Sequence, residues 1–172
     1  MTDQGRIASA VSGIANHLRE HPADGRSNDT NATATLETGL RFTVTHPNGT
    51  AISTDMPAGL GGDASAPSPG WLMRAAAAAC VASMIGIRAA QEGVALDGLE
   101  VTVSSVSDDR GMVGADDSVP AGLLETTISV RISATGVAGE TLRELVRWAH
   151  AHSPVTDSIE RAVPTTLDLQ VE

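Results

Sequence analysis

Apolar residues near the start of the chain recur at helical spacing. Between residues 6 and 20 they fall four, three and four positions apart, at Ile7, Val11, Ile14 and Leu18, which is the pattern of one face of an amphipathic helix. The polar, turn-rich residues 22–31 that follow are typical of a linker. We therefore predict a helix and linker over residues 1–31 and a main domain over residues 32–172, with the helix covering part of a dimer or guarding a pocket.

After the linker, apolar and polar residues alternate with a period of two, which is typical of half-buried strands. This alternation runs through Leu40, Phe42 and Val44, breaks at Pro47-Asn48-Gly49 and resumes over residues 51–54, which predicts a hairpin. The same alternation predicts strands over residues 97–106 and 124–132, joined by an acidic, Gly-rich stretch, and a final strand over residues 166–171.

Two further segments have helical patterns. The first follows a Gly- and Pro-rich loop, with Ser68 as a natural N-cap and Pro69 at the first helical position. It is apolar on all sides over residues 75–87, a span shorter than the roughly 20 residues that cross a bilayer, so we predict a buried core helix. The second covers residues 139–150. Because strands and helices do not alternate regularly, the predicted fold class is α+β.

The apolar helix is rich in alanine, and small side chains let another helix approach closely. One of its faces, which we expect to pack against a partner helix, carries Ala76, Ala77, Cys80, Met84 and Ile87.

Composition narrows the classes of partner. The chain has 172 residues with 11 Lys and Arg against 21 Asp and Glu, a net charge of −10. Such a charge repels phosphate backbones and anionic lipid surfaces, so neither nucleic acid nor a membrane is an expected partner. The first thirty residues lack the basic start and apolar stretch of a secretory signal, which favours a cytoplasmic location.

The only cysteine, Cys80, is the main candidate for chemistry. A lone thiol cannot form a disulfide within its chain, so its redox chemistry needs an outside thiol or a second copy of the protein. Cys80 lies about three turns into its helix, too far for the helix dipole to help much. Arg74 and Arg88 project at other angles around the helix, so activation requires another arginine. The alternative reading is a small buried hydrophobe.

Two segments together resemble a known family. Two segments carry the resemblance: Pro69 with Leu72 and an Ala-rich stretch of helix that leads to Ala79-Cys80, and later Ser153-Pro154-Val155. Together they resemble the OsmC/Ohr family of osmotically inducible and organic hydroperoxide resistance proteins, over about residues 33–172. The resemblance implies an OsmC-like α+β fold, with antiparallel sheets wrapped around a buried Ala-rich central helix. It also implies an intertwined homodimer.

The resemblance also implies roles for individual residues. In active members, the cysteine at the position of Cys80 attacks the peroxide, and a second cysteine, at the position of Ser153, resolves the sulfenic acid. The residue after the motif proline is a glutamate that helps to hold an arginine against the sulfur, and here it is Gly70. Arg41 lies near the position from which that arginine is expected to come. The candidate catalytic residues are therefore Cys80, Arg41 and Ser153.

These candidate residues are compatible with two functions. The first is a peroxiredoxin-like thiol peroxidase that reduces a small hydrophobic peroxide with Cys80 and an external thiol reductant, and needs no cofactor. The second is a non-catalytic dimer of the same fold that binds a small apolar ligand at the subunit interface. The absent resolving thiol and Gly70 favour the second.

Other candidate sites have simpler explanations. Ser153 before Pro154 is typical of a helix N-cap. His150 and His152, two residues apart on a helix, point to different sides, which disfavours a serine hydrolase. The same spacing, with the other histidines scattered, argues against a metal site, and the acidic stretch between the two long strands lacks the pattern of a calcium loop.

Overall fold

A computed structural model describes residues 2–161 and 163–171. Its helices and strands follow one another in an α+β order, which confirms the predicted fold class. In chain order they are α1 (Asp3–Glu20), β1 (Thr33–Thr38), β2 (Arg41–Thr45), β3 (Ala51–Thr54), α2 (Pro69–Gln91), β4 (Gly98–Ser107), α3 (Asp109–Met112), β5 (Leu123–Ser133), α4 (Gly139–Ala151) and α5 (Pro154–Glu160), with short 3-10 helices at Pro22–Gly25 and Ala58–Leu60.

The first three strands form an antiparallel sheet in the order β1-β2-β3. The predicted hairpin is confirmed between β2 and β3, where Phe42 is paired with Thr54. The assignment of Leu40 to a strand is wrong, because Gly39 and Leu40 form a tight turn between β1 and β2. Gly39 has a φ of +54°, a left-handed conformation that glycine adopts without steric cost.

The other two strands, β4 and β5, form a two-stranded sheet. The N–H of Asp97, just before β4, donates to the carbonyl of Ser133 at the end of β5, over 2.8 Å, so the strands run antiparallel. Their residues alternate between exposed and partly buried along most of each strand, as the sequence predicts. The acidic connection contains α3, where Asp108 accepts a hydrogen bond from the N–H of Arg110.

Helix α2 begins as predicted, since the Ser68 hydroxyl accepts a hydrogen bond from the N–H of Trp71 over 3.3 Å. Within a single chain its buried residues form a stripe at every fourth position, Ala77, Val81, Ile85 and Ala89, joined by Ala90 near the end of the helix. By length and composition α2 would suffice to cross a bilayer, with a mean hydropathy of 1.5 in its most apolar window, of which 17% is buried. Core helices of soluble proteins have the same character, so membrane insertion does not follow from it.

The chain divides into two compact units. One comprises residues up to Ala8, Ala77–Val103 and the chain from Thr127 onward, and the other comprises Ser9–Ala76 and Ser104–Thr126. The core of the first unit forms where Val81 and Ile85 pack with Ala149 of α4 against the apolar side chains of β4 and β5. The proposed boundary after residue 31 stays a prediction.

The predicted final strand is wrong for the single chain. Residues 163–171 form no strand, and their alternating apolar side chains are exposed, with Leu167 at 87%, Leu169 at 74% and Val171 at 84%. An alternating pattern becomes a strand only when another backbone supplies hydrogen bonds. None of the five strands pairs with this segment within the described chain.

Candidate functional site

Cys80 is a free cysteine and is partly buried. It directly precedes Val81, which is fully buried in α2, so Cys80 is next to the buried stripe but is not part of it. On the face predicted to meet another helix, Ala77 is buried, Ala76 is exposed, and Met84 is partly covered. Cys80 is therefore a partly buried residue on an apolar helix.

Arg41, at the start of β2, is held by two side chains of its own unit. Its Nε donates to Glu37 Oε2 over 2.6 Å, and its Nη1 donates to the Ser65 hydroxyl over 2.7 Å. Thr43 also donates to Glu37. The hydrogen bond from Thr43, followed by that from Arg41, lowers the pKa of Glu37, so the carboxylate stays ionised at neutral pH beside the guanidinium.

The same hydroxyl connects Arg41 to a buried carboxylate. Asp55 is only 2% exposed, and its Oδ2 accepts hydrogen bonds from Ser65 N over 3.0 Å and from Ser65 Oγ over 2.8 Å. Its Oδ1 accepts from Met56 N over 2.8 Å. The hydrogen bonds from Ser65, backbone first and then side chain, lower the pKa of Asp55 against the opposing effect of burial. The side chains of Glu37, Arg41, Ser65 and Asp55 are thus joined in a row by hydrogen bonds.

The loop around Asp55 leaves no room for a side chain at Gly62. A Cβ there would collide with the carbonyl of Met56. Gly62 therefore permits the close turn that brings Ser65 back to Asp55. The same Cβ would lie 2.9 Å from Asp55 Oδ1, so glycine at this position also lets the loop pass close to the carboxylate.

Ser153 is fully buried and belongs to the same unit as Cys80. It stands at the N-cap position of α5, where its carbonyl accepts from Asp157 N over 3.0 Å. The predicted side-chain cap is wrong, however, because Ser153 Oγ makes no capping bond and has no hydrogen-bond partner among the residues that the structure describes. A buried hydroxyl without a partner is destabilising, so capping does not explain this serine.

The two histidines before Ser153 have other partners. His150 Nε2 lies 3.3 Å from Glu160 Oε1. His152 stacks on Trp148 with ring centroids 4.1 Å apart, and Arg88 lies over the same indole. Neither histidine hydrogen bonds to the Ser153 hydroxyl, so the arrangement does not provide the serine with a general base.

The first turns of α2 border an open cleft of about 400 Å³ in the second unit. Trp71, half exposed, and Arg74, partly buried, line it from the helix, and Asp55 lines it from the loop. The rest of the lining is mostly proline and alanine. Arg74 Nη1 donates to Ser105 Oγ over 3.2 Å, and Arg74 forms no salt bridge within residues 2–161 and 163–171. No pattern along the sequence indicates this cleft, and the sequence points to no role for Arg74 because it projects at a different angle from Cys80.

Comparison with known proteins decides the family. Residues 62–168, which include Cys80 and Ser153, match the family model described as OsmC-like protein. The chain belongs to the OsmC-like family. The predicted membership is thereby confirmed, over a shorter span than the sequence resemblance covered. No curated protein matches the chain.

Solved structures share the OsmC-like fold. One, from Psychrobacter arcticus and described as an osmotic stress induced and detoxification response protein, is 25% identical with a TM-score of 0.62, covering 77% of this chain and 90% of its own. An organic hydroperoxide resistance protein OsmC from Legionella pneumophila is 24% identical with a TM-score of 0.58, covering 78% and 90%. An OsmC like protein from Mycoplasma pneumoniae is 16% identical with a TM-score of 0.67, covering 80% and 91%.

The structure places the candidate residues in two different units. Cys80 and Ser153 lie in one unit, whereas Arg41 lies in the other, within its row of polar side chains. Residues missed by the sequence are Glu37, Asp55 and Ser65, because their contacts join a strand to a loop and leave no periodic signal. Among residues 2–161 and 163–171, no group of three His, Cys, Asp or Glu side chains is arranged to hold a metal ion.

Proposed function

We propose that this OsmC-like protein is a cytoplasmic, thiol-dependent organic hydroperoxide reductase with Cys80 as its only thiol. The observation that carries the proposal is the position of Cys80, which lies in the family segment that begins at Pro69 and is only partly buried on its helix. A partly buried thiol on an apolar helix is a suitable site for reaction with a small hydrophobic peroxide. Hydroperoxide resistance in the name of the Legionella protein agrees with this chemistry.

The proposed reaction needs an outside reductant. The Cys80 thiolate attacks one peroxide oxygen, the O–O bond breaks, and the alcohol leaves after protonation, so the sulfur becomes a sulfenic acid. One thiol of an external dithiol then displaces water to form a mixed disulfide with Cys80. The second thiol of the same reductant attacks that disulfide, which frees the Cys80 thiol and leaves the reductant as a cyclic disulfide. Each turnover consumes one peroxide and two thiols, and yields one alcohol, one water and one disulfide.

Arg41 is the arginine that we propose to stabilise the thiolate. Its Nε and Nη1 are committed to Glu37 and Ser65, which leaves Nη2 to face an anion. Because Gly70 lacks the carboxylate that the family resemblance places there, Glu37 would take over the task of orienting the guanidinium. A cation near the sulfur lowers the pKa of a thiol and raises the reactive fraction at neutral pH.

A homodimer is part of this proposal. The uncovered face of α2 carries apolar side chains in partial or full contact with solvent, and Trp71 and Met73 near its start are 50% and 41% exposed. The C-terminal apolar residues 167–171 lack a strand partner within the chain. Burial of these surfaces against a second copy of the chain would contribute a favourable free energy of roughly 25 cal/mol for each Å² of apolar area.

Peroxide consumption tests the reductase directly. Purified protein with cumene hydroperoxide and dithiothreitol should consume peroxide well above the rate of dithiothreitol alone, and dimedone should trap a sulfenic acid on Cys80. Cys80→Ser is the matched control, because serine keeps the size and loses the nucleophile. Equal rates for the two proteins would reject the proposal.

A second candidate function rests on Ser153. The resolving thiol is replaced by a hydroxyl with no hydrogen-bond partner in the described chain, which favours a dimer that has lost catalysis and binds a small apolar ligand at the subunit interface. Slow alkylation of Cys80 by iodoacetamide at pH 7, together with no change on exposure to peroxide, would support this function. Rapid sulfenic acid formation would support the reductase.

A further inference from the structure

The cleft beside α2 contains a guanidinium with unused donors. An arginine carries five N–H donors, and Arg74 uses Nη1 for Ser105. No carboxylate lies within salt-bridge distance of Arg74 among residues 2–161 and 163–171. Partial burial weakens the screening of such a charge by water. The donors that line the cleft are therefore available to an anionic group.

Gly70 explains why Arg74 has no partner on its own helix. Gly70 precedes Arg74 by four residues, and Arg74 Nη1 lies 3.9 Å from where a Cβ on Gly70 would stand. A glutamate at this position would reach the guanidinium, because residues four apart on a helix are neighbours and Glu before Arg is the favourable order. With glycine there, the charge of Arg74 stays free.

The carboxylate in the cleft wall does not neutralise Arg74. Both oxygens of Asp55 accept hydrogen bonds from its own loop, from Met56 N and from Ser65, and the residue is 2% exposed. Asp55 lines the same cleft as Arg74, so its negative charge opposes a second negative charge on a ligand. A singly charged carboxylate therefore suits the cleft better than a phosphate dianion.

The remaining walls match a flat apolar body. Trp71 exposes half of its surface, and Pro57, Pro67 and two alanines supply apolar lining. The volume of about 400 Å³ lies within the range of small-molecule sites, which is about 300 to 1,000 Å³. We propose that this cleft binds a small aromatic monocarboxylate, with the carboxylate on Arg74 and the ring on Trp71. Binding in this cleft does not require Cys80 to be reactive.

The probe that we choose is 1-naphthaleneacetate, with the uncharged 1-naphthaleneacetamide as its matched control. Titration into the ¹⁵N-labelled protein should shift the indole N–H signal of Trp71, assigned with Trp148→Phe, and leave that of Trp148 in place. The acid should bind at least about tenfold more tightly than the amide, which is the effect of one hydrogen-bonded charge pair. The net charge of −10 on the chain repels the carboxylate of the acid and has no such effect on the neutral amide. Tighter binding of the acid therefore requires a positive charge within the site.

Variants of the protein separate the roles of the two residues. Arg74→Gln should weaken binding of the acid by about tenfold and leave the amide unchanged. Gly70→Glu should also weaken binding of the acid, because the new carboxylate would pair with Arg74. Gly70→Gln should leave acid binding unchanged, because its side chain carries no charge. Arg131→Gln, far along the chain, is a control for the loss of a positive charge. Equal affinity of the unaltered protein for acid and amide would overturn the proposal, as would full acid binding by a folded Arg74→Gln protein. The first comparison needs no variant.

Discussion

Asp55 and Ser65 are joined by two hydrogen bonds to a single oxygen, from the backbone N–H and from the hydroxyl of the serine. The same hydroxyl accepts from Arg41. A loop residue thereby links a buried carboxylate to the guanidinium that we propose as the activator of Cys80. The orientation of Arg41 depends on this loop, although nothing in the sequence pairs residue 41 with residue 55.

Replacement of Asp55 tests the energetic role of this link. The pKa of Asp55 is lowered in the folded protein from its usual value of 3.8, so its contribution to stability is present above that value and is lost as the pH falls toward the folded pKa. We expect Asp55→Asn to lower Tm at pH 7, and the difference from the unaltered protein to shrink below about pH 4. Thermal unfolding between pH 3 and 7 measures this, with the exposed Asp29→Asn as control. A difference that does not vary with pH would contradict the interpretation.

Removal of the buried Ser153 hydroxyl should stabilise the protein. An unsatisfied buried polar group costs about 1–3 kcal/mol, so we expect Ser153→Ala to raise the free energy of unfolding by about 1 kcal/mol. The nearby Thr156 hydroxyl donates to the Ser153 carbonyl over 3.1 Å, and Thr156→Val should lower it by a similar amount. Urea unfolding measures both. A loss of stability in Ser153→Ala would show that the hydroxyl has a partner.

Introduction of a thiol at the same position tests the family correspondence. In the Ser153→Cys protein, one equivalent of cumene hydroperoxide should oxidise Cys80 and lead to a disulfide between residues 80 and 153, with loss of both free thiols. Thiol titration and mass spectrometry under non-reducing conditions detect this product. The double variant that also carries Cys80→Ser should retain its single thiol. Persistence of two thiols in the first variant would place residue 153 outside the resolving position.

The stripe on α2 should be the most sensitive part of the core to truncation. Ile85 is fully buried with Val81 and Ala149, so Ile85→Ala should lower the free energy of unfolding by about 2–5 kcal/mol. Ile14 in α1 is 63% exposed, and Ile14→Ala should change it by less than about 0.5 kcal/mol. Chemical denaturation of both variants provides the comparison. Similar losses would mean that α1 is covered in solution.

A charge on the uncovered side of α2 should weaken the proposed dimer. Ala76 is exposed within the single chain, and on the face expected to meet another helix Ala76→Glu would bury a carboxylate without a partner. Sedimentation velocity should then show monomers, whereas Ala151→Glu, at an exposed position of α4, should remain dimeric. An Ala76→Glu dimer as stable as the unaltered protein would exclude this face from the interface.

The periodicity of the sequence determined most of the fold. Helices α1, α2 and α4 and strands β4 and β5 were predictable because each has an apolar face of the right period, and Ser68 with Pro69 marked the start of α2. Cys80, Ser153 and the Ala-rich segment also sufficed to indicate the family. These signals are local, since neighbours along the chain create them.

The tertiary structure alone decided what depends on distant partners. Residues 166–171 alternate like a strand but find no backbone to pair with in one chain, and Ser153 occupies a cap position without making the capping bond. The row from Glu37 to Asp55 and the open charge of Arg74 arise because a loop folds back on a strand and because Gly70 has no side chain. Hydrogen bonds between residues remote in sequence follow from how the backbone closes in space, and no periodicity along the chain records them.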